Sequence, residues 1–286
     1  MNLKERIQKN DTILLDGSMG AILIKMGLGG AKIHRLNTEQ PEIISEIHKQ
    51  YFAAGCDIIL TNTFNITPES MQKADLSVEE TVRGAVAAAK EAKNDYSDRY
   101  IALDLGPTGK MMEPYGQHPY HSAYDYFKLQ IDSAYTDVDL FVIETISDVT
   151  EMKAAIQACR DTCDKPILAA MTFTAKEKTW LGVTLDQWAD LINESDITAG
   201  GINCTLTPAE MLPIAQKLQK MINKPLFVEP NRGQPETDGT NTIYHMSSET
   251  FADGLIDFHK SGIHIIGGCC GSDPDCIKAT YEKLHH

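Results

Sequence analysis

Short, continuously apolar runs alternate along this chain with longer stretches whose apolar residues recur at helical spacing. Eight such runs occur, at positions 13–15, 58–60, 101–103, 140–143, 167–171, 201–203, 226–228 and 263–266. Because the runs are continuous rather than alternating, they predict parallel strands that are covered on both faces. Eight strand–helix units in 286 residues predict an α/β fold, a single-domain (β/α)8 (TIM) barrel over residues 1–286. A doubly wound open sheet is the alternative and fits the pattern less neatly.

The stretches between the runs carry signals of helix ends. Thr207-Pro208-Ala209-Glu210 has the pattern of a capping box with proline at the first helical position, and Asp273-Pro274 begins the last helix in a similar way. Further helices are predicted at 42–54, 82–93, 123–135, 150–163, 185–193 and 248–260. Longer loops follow strands at 106–119, 174–184 and 230–244. In a barrel these loops build the C-terminal end, where active sites lie.

Each apolar run ends at a residue with a polar or sulfur-bearing side chain. These residues are Asp16, Thr61, Asn62, Asp104, Glu144, Thr172, Cys204, Glu229, Asn231, Cys269 and Cys270. A polar residue is ordinary where a strand meets water, so about half of them need no functional explanation. Cysteine usually lies in a core, so Cys204 after the sixth run and the Cys269–Cys270 pair after the eighth are different. In a barrel those strand ends lie at one rim, one strand apart, and three sulfur atoms can meet.

Cys269 and Cys270 are adjacent, and glycines at 267, 268 and 271 flank them. A disulfide between sequence neighbours would strain the peptide, whereas flanking glycines let the backbone turn until both sulfurs face one spot. Three thiolates leave a tetrahedral zinc ion with one open position, which is typical of a catalytic rather than a structural site. Three buried thiols without a metal are the alternative.

The composition and charge of the chain exclude some classes of binding partner and indicate a cellular compartment. With 42% hydrophobic and 23% charged residues, the chain has the balance of a globular protein. The net charge of −14 argues against nucleic acid or an anionic membrane surface, and no apolar run approaches a membrane span. Residues 1–11 are polar and unlike a signal peptide, so we expect a cytoplasmic protein with reduced thiols. Of the seven cysteines, four are interpreted as ordinary, and only the last of them falls near the predicted site: Cys56, Cys159, Cys163 and Cys276.

Seven short motifs, in order along almost the whole chain, resemble those of the homocysteine S-methyltransferase family. They are Leu15–Gly20, Thr61–Phe64, Gly106–Lys110, Glu144–Ile146, Gly201–Cys204, Pro230–Gly233 and Gly267–Gly271. The chain is most similar to the homocysteine-binding barrel of cobalamin-dependent methionine synthase. Its Thr-Asn-Thr-Phe and Gly-Pro-Thr-Gly segments favour that branch over the S-methylmethionine or betaine enzymes.

This resemblance implies that Cys204, Cys269 and Cys270 bind Zn²⁺ and that the sulfur of homocysteine takes the open position. An ordinary thiol titrates near 8.5, so coordination to zinc would supply the thiolate that attacks a methyl group and forms methionine. The expected substrate-binding residues are Asp16, Gly17, Ser18, Met19, Asn62, Glu144 and Asn231. Among them, two carboxylates are implied to hold the substrate ammonium, and the N–H groups of 17–19 suit its carboxylate. Asn231 is expected to fill the fourth zinc position when substrate is absent.

The folate, cobalamin and activation modules of cobalamin-dependent methionine synthase are not in this sequence. We therefore expect the methyl group to come either from methylcobalamin on a separate corrinoid protein or from S-methylmethionine or another small onium donor. A non-catalytic zinc-binding barrel is a further alternative. Asp257–Gly262 matches the cobalamin-binding pattern D-x-H-x-x-G. It spans a predicted helix end, however, where His259 and Lys260 suit the helix dipole, so cobalamin is expected on a partner.

Overall fold

The computed structural model describes residues 3–30, 33–237 and 242–286. Residues 1–2 of the polar N-terminal segment and 238–241 of the predicted loop 230–244 lie outside the described residues. The helices within the described ranges are α1 (Leu3–Gln8), α2 (Met19–Lys25), α3 (Leu36–Glu39), α4 (Pro41–Ala53), α5 (Pro68–Ala74), α6 (Val78–Lys93), α7 (Tyr120–Ala134), α8 (Val149–Arg160), α9 (Leu185–Glu194), α10 (Pro208–Gln219), α11 (Ser248–Lys260) and α12 (Pro274–His285). The strands are β1 (Ile13–Leu14), β2 (Ile58–Leu60), β3 (Tyr100–Leu105), β4 (Leu140–Ile146), β5 (Ile167–Met171), β6 (Ala199–Asn203), β7 (Leu226–Glu229), β8 (Glu236–Thr237), β9 (Thr242–Ile243) and β10 (Ile265–Ile266).

Eight parallel strands form one sheet in the order β1-β10-β7-β6-β5-β4-β3-β2. The two edges of this sheet meet at a parallel bridge between Leu15 and Ile58, where the Asp16 N–H donates to the Ile58 carbonyl at 3.0 Å. The sheet therefore closes into the predicted (β/α)8 barrel, with a strand at each of the eight predicted runs. The doubly wound open sheet is excluded, because such a sheet keeps two free edges.

Alternate residues of the barrel strands pack into two separate apolar layers. Leu15, Val142 and Phe227 belong to the layer inside the barrel, whereas Leu14 and Phe141 pack outward against the helices. This alternation follows from the two-residue period of a strand. The interior is thus a packed core, and chemistry is confined to the ends of the barrel.

A buried ion cluster closes the N-terminal end of the barrel. Asp57 Oδ1 accepts hydrogen bonds from Arg6 Nη1 at 2.9 Å and from Arg99 Nη1 at 2.8 Å. Asp57 Oδ2 accepts from the Leu14 N–H at 2.9 Å. This carboxylate thus connects α1, β1 and the residue before β3, so this end of the barrel has a structural role.

Differences from the predicted elements are confined to short segments. The helix predicted at 150–163 ends at Arg160, and Cys163 lies in the following turn, where its N–H donates to the Cys159 carbonyl at 3.1 Å. No pattern predicts α1, α2, α3, α5 or the antiparallel pair β8–β9, because elements of two to seven residues are too short to show a period. Of the helices described, none combines the length and the apolar character that a membrane crossing requires.

Candidate metal and substrate site

Three cysteine sulfur atoms meet at the C-terminal end of the barrel. Cys204 follows β6, and Cys269 and Cys270 follow β10, with β7 between those strands. All three Sγ atoms lie within 4.8 Å of one another. The Cys204–Cys270 separation is 3.9 Å and the Cys269–Cys270 separation is 4.0 Å. The predicted convergence of these residues is therefore present in the structure.

The backbone at Cys204 has an unusual conformation. Cys204 and Thr205 have φ values of 61° and 63°, in the left-handed region that residues other than glycine avoid. Such residues cost roughly 1–3 kcal/mol each and persist where the surroundings enforce them. Here the Cys204 N–H donates to the Glu229 carbonyl at 2.9 Å, and the Leu206 N–H donates to the Cys204 carbonyl at 2.7 Å. These hydrogen bonds enforce a turn directly after β6, and Cys204 faces Cys270 at this turn.

Glycine is required on both sides of the cysteine pair. A Cβ atom on Gly268 would lie 2.3 Å from Ser272 Oγ. A Cβ atom on Gly271, where φ is +83°, would lie 2.4 Å from the ring of Tyr244. The Ser272 hydroxyl also donates to the Cys269 carbonyl at 2.6 Å and so tightens the turn. The flanking glycines thus permit the turn that the sequence predicts.

The three sulfur atoms interact strongly with one another. Hydrogen bonds from Cys269 and Cys270 lower the pKa of the Cys204 thiol to about 3. The contact with Cys204 raises the pKa of Cys270 to about 12, and the contacts with Cys204 and Cys270 raise the pKa of Cys269 well above its ordinary value. A tetrahedral zinc ion with Zn–S bonds of about 2.3 Å separates its sulfur ligands by about 3.8 Å. The observed separations and the soft donor set therefore fit zinc with three protein ligands.

Four buried carboxyl groups lie at the same end of the barrel, where β1, β3, β4 and β7 end: Asp16, Asp104, Glu144 and Glu229. Burial is the largest cause that raises the pKa of each, and it raises the pKa of Glu144 to about 7. Repulsion from neighbouring acids raises the pKa values of Asp16, Asp104 and Glu229 further. Buried acids in this arrangement favour a ligand that carries a positive charge.

Asn203 connects the carboxyl groups to the cysteine site. Its Nδ2 donates to Glu144 Oε2 at 2.6 Å, and its Oδ1 accepts from the Thr145 N–H at 2.9 Å and from the Thr172 hydroxyl at 3.3 Å. Thr145 has a φ of 62°, which brings its N–H to this acceptor. Because Asn203 directly precedes Cys204, its hydrogen bond to Glu144 fixes the position of the Glu144 carboxylate relative to the sulfur cluster.

The predicted carboxylate-binding segment follows Asp16, whose Oδ2 accepts from the Leu60 N–H at 2.9 Å. The Ser18 N–H donates to the Ser272 carbonyl at 3.0 Å, and Ser18 Oγ caps α2 by accepting from the Ala21 N–H at 3.1 Å. Ser18 thus already has structural partners. Within the described part of the chain, the N–H groups of Gly17 and Met19 have no acceptor outside their own helix, and their contact with a substrate carboxylate stays a prediction.

The two predicted asparagines lie in different surroundings. Asn62 Nδ2 donates to the Ile33 carbonyl at 3.1 Å and to Asn37 Oδ1 at 2.8 Å, so only its Oδ1 is left for a substrate. Asn231 lies against the sulfur cluster, where its Oδ1 accepts from the Cys270 N–H at 3.0 Å. A hydrogen bond from Asn231 also contributes to the lowered pKa of Cys204. Asn231 therefore touches two of the three cysteines through its amide.

Residues outside the site behave as ordinary structural groups. Cys276 lies in the first turn of α12, where its thiol hydrogen-bonds with Ser248 and is not part of the sulfur cluster. His259 lies near the end of α11 and shares a hydrogen bond of 2.9 Å with Thr12 Oγ1. Thr12 precedes β1, so His259 is at the N-terminal end of the barrel, opposite the cysteines. The interpretation of Asp257–Gly262 as a helix end is confirmed.

No sequence pattern predicts the position of Tyr244, which follows β9. Its ring packs against Gly271, and burial, followed by negative charge on Cys270, Cys269 and Cys204, raises the pKa of its phenol. Tyr244 therefore lies beside the sulfur cluster. Its loop shows no periodicity, and only the structure reveals the contact.

Known proteins resemble this chain in sequence and in fold. The family model described as homocysteine S-methyltransferase matches residues 13–284. Methionine synthase of Mycobacterium leprae (strain TN) is 27% identical over 256 residues, which cover 85% of this chain and 21% of that protein. The chain thus spans about a fifth of the length of this curated relative.

Solved structures of the homocysteine methyltransferase MmuM from Escherichia coli have the same fold. The metallated form superposes with a TM-score of 0.83 at 23% identity, over 98% of this chain and 99% of that chain. The apo form gives a TM-score of 0.77 at 22% identity, over 98% of this chain and 99% of that chain. With the family match extending over nearly the whole barrel, this chain belongs to the homocysteine S-methyltransferase family.

Proposed function

We propose that this homocysteine methyltransferase forms methionine at a Zn²⁺ site made by Cys204, Cys269 and Cys270. The observation that carries the proposal is the meeting of three Sγ atoms within 4.8 Å at the C-terminal end of the barrel. Bound zinc would lower the pKa of the substrate thiol and keep the sulfur nucleophilic, because three protein ligands leave one position free. Since the site needs three reduced cysteines, we place the reaction in the cytoplasm.

The buried acids give the site its preference for an amino acid. Asp16 and Glu144 would bind the ammonium group of homocysteine through charge-assisted hydrogen bonds. Asn203 holds Glu144 in place, and the charge of Cys204 acts directly on Glu144. The amine and the sulfur of one short substrate can therefore reach their sites together. The N–H groups of Gly17 and Met19 would bind its carboxylate.

Methyl transfer then requires only an in-line approach of the donor. The substrate thiol loses its proton, the new S–CH₃ bond forms, and the bond from the methyl carbon to its carrier breaks. The electron pair of that bond stays with the carrier, which leaves as cob(I)alamin or, for S-methylmethionine, as methionine. Asn231 and the enforced turn at Cys204 keep the sulfur cluster fixed during this exchange.

For the methyl donor, we propose methylcobalamin carried by a separate corrinoid protein. Similarity to a methionine synthase supports this choice. The loops after β3 and β5 also expose large apolar side chains at the same end of the barrel, with Tyr115 87% and Trp180 73% exposed. An exposed apolar rim suits a donor presented on another protein's surface.

A small onium donor such as S-methylmethionine is the second candidate. The superposition on the E. coli homocysteine methyltransferase, which covers nearly all of both chains, supports this candidate. An onium group needs carboxylates or aromatic faces around it, and this barrel end contains both.

A donor panel on zinc-loaded protein separates these candidates. We expect methylcobalamin and homocysteine to give methionine and the absorbance change of cob(I)alamin. Methionine formed from S-methylmethionine alone would replace the corrinoid proposal by the second candidate. If no donor gives methionine at full zinc occupancy, the barrel is not a methyltransferase acting on homocysteine and a non-catalytic zinc role remains.

A further inference from the structure

Asp104 is a buried acid that has no role in the proposed binding of the substrate ammonium group. Its side chain lies on β3 with the residue 4% exposed, and no N–H or hydroxyl group of the described residues donates to its Oδ1. Its backbone, in contrast, is firmly held. The Asp104 N–H donates to Thr61 Oγ1 at 3.1 Å, and its carbonyl accepts from the Thr63 hydroxyl at 2.6 Å. The strand position of Asp104 is therefore fixed, and its carboxyl group is buried at this end of the barrel.

Among the described residues, the carboxyl groups whose charges act most strongly on Asp104 are Glu144 on β4, Glu229 at the end of β7 and Asp16 after β1. The phenol of Tyr126 on α7 also interacts with the charge of Asp104. Burial, followed by the negative charge of these three carboxyl groups, raises the pKa of Asp104 well above its ordinary value. The sheet register pairs Asp104 with Val142 of β4, so Asp104 and Glu144, two residues further along β4, lie on the same face of neighbouring strands, where a hydrogen bond can join their carboxyl groups. Two carboxyl groups can form such a bond only when one of them carries a proton.

The partners of Glu144 indicate which residue carries that proton. Glu144 Oε2 accepts from Asn203 Nδ2 at 2.6 Å, and the Thr145 hydroxyl lies 3.4 Å from it. These donors stabilise the ionised form of Glu144, whereas Asp104 Oδ1 has no such donor.

We propose that Asp104 is a neutral carboxylic acid that donates a hydrogen bond to the Glu144 carboxylate and thereby positions Glu144 for the ammonium group of the substrate. The identity of that ammonium group rests on the proposed function, but the protonated Asp104 does not. Asp104 is then a positioning residue. An asparagine at this position keeps a neutral N–H donor of the same shape, whereas an alanine removes the donor.

Difference infrared spectroscopy on the free protein tests the protonation directly. Wild-type protein minus Asp104→Asn protein should show the carbonyl stretch of one protonated carboxylic acid. The matched control is Asp148→Asn, the same change at a helix N-cap whose carboxylate accepts from the Thr150 and Glu151 N–H groups. That control should show no acid band. An acid band missing from the Asp104 difference spectrum would overturn the proposal, whatever the substrate proves to be.

Steady-state kinetics on zinc-loaded full-length protein tests the positioning role. We expect Asp104→Asn to keep the KM for homocysteine within about threefold of wild type. Asp104→Ala should raise this KM about tenfold or more with kcat and zinc content nearly unchanged, because the Glu144 carboxylate loses the hydrogen bond that positions it for the substrate. An asparagine variant as impaired as the alanine variant would mean that Asp104 binds substrate as a charged group, contrary to the proposal. Absence of turnover in wild type would instead count against the proposed function and leave the infrared result standing.

Discussion

Asn203 Nδ2 donates a hydrogen bond of 2.6 Å to Glu144 Oε2, and Asn203 is the residue directly before Cys204. One side chain thus joins the acid proposed to bind the substrate amine to the first cysteine of the sulfur cluster. The same asparagine on β6 accepts from the Thr145 N–H of β4 at 2.9 Å, past the intervening strand β5. The spacing between the two halves of the site is therefore fixed by buried polar contacts rather than by loops.

Replacing Asn203 with alanine should disturb recognition of the substrate more than the chemical step. The change removes the closest donor to Glu144 and leaves the Thr145 N–H without its buried acceptor, which should lower the free energy of unfolding by about 1–3 kcal/mol. We expect the KM for homocysteine to rise at least about tenfold, since a misplaced carboxylate loses about one charge-assisted hydrogen bond. Steady-state kinetics and urea unfolding measure the two effects.

Asn193→Ala is the matched control for this variant. Asn193 Nδ2 donates to the Met221 carbonyl at 3.0 Å and its Oδ1 accepts from the Asn223 N–H at 2.8 Å, away from the cysteines. The Asn193→Ala variant should have a lower free energy of unfolding than wild type and an unchanged KM for homocysteine. Equal KM values in both variants would contradict a specific role for Asn203.

Loss of any one cysteine of the cluster should remove zinc and turnover together. Two thiolates cannot replace three in holding a catalytic zinc, so Cys204→Ala, Cys269→Ala and Cys270→Ala should each purify with little or no metal. Metal analysis and the methionine assay provide the readouts. Cys276→Ala serves as the control, because Cys276 is buried nearby but outside the cluster, and it should keep its zinc. Turnover that persists in a metal-free variant would disprove the role of these residues.

Stability should depend on pH through Asp104. Its pKa is raised in the folded protein, so above its unfolded value near 3.8 the unfolded chain releases a proton that the folded chain keeps. Stability therefore falls as pH rises, by up to about 1.4 kcal/mol per pH unit, until the folded pKa is reached. Asp104→Asn removes the contribution of this group. The free energy of unfolding of the variant, measured in urea, should therefore increase relative to that of wild type between pH ~5 and pH ~8. A constant difference across that range would mean that Asp104 is already ionised in the fold.

Arg232 should prove important for metal affinity although it lies outside the cluster. In its side chain, Nε donates to the Met246 carbonyl at 2.7 Å and Nη1 pairs with Asp273 at 2.7 Å. Its backbone N–H donates to the Cys270 carbonyl at 2.9 Å. Arg232→Lys keeps the charge but loses the forked geometry, so we expect weaker zinc binding and a loss of about 1–3 kcal/mol in stability. Chelator competition and thermal unfolding measure these quantities. Arg83→Lys, at an exposed position of α6, should change neither, and equal effects in both variants would count against a specific role of Arg232.

The sequence predicts the barrel and the meeting of the cysteines for the same physical reason. Continuous apolar runs define parallel strands, and the carboxyl ends of parallel strands share one rim. Once Cys204 and the pair Cys269–Cys270 are placed after the sixth and eighth runs, their approach follows from topology. Glycines at 268 and 271 add a local requirement that can be recognised without a structure.

Other contacts depend on features that no pattern in the sequence carries. The bond from Asn203 to Glu144 depends on side-chain rotamers and on the left-handed backbone at Thr145. The contacts of Arg232 and Tyr244 depend on the path of the loop after β7, whose sequence shows no period. Asp104 is identifiable as a strand-end acid, but its contact with Glu144 emerges only when the strands are in register.

X-ray absorption at the zinc edge tests the central claim most directly. Zinc-loaded protein should show three sulfur neighbours at about 2.3 Å, and addition of homocysteine should bring a fourth at a similar distance. A selenium analogue of homocysteine would mark the incoming atom as the substrate's own. A zinc ion that keeps the same neighbours when homocysteine saturates the protein would contradict the account.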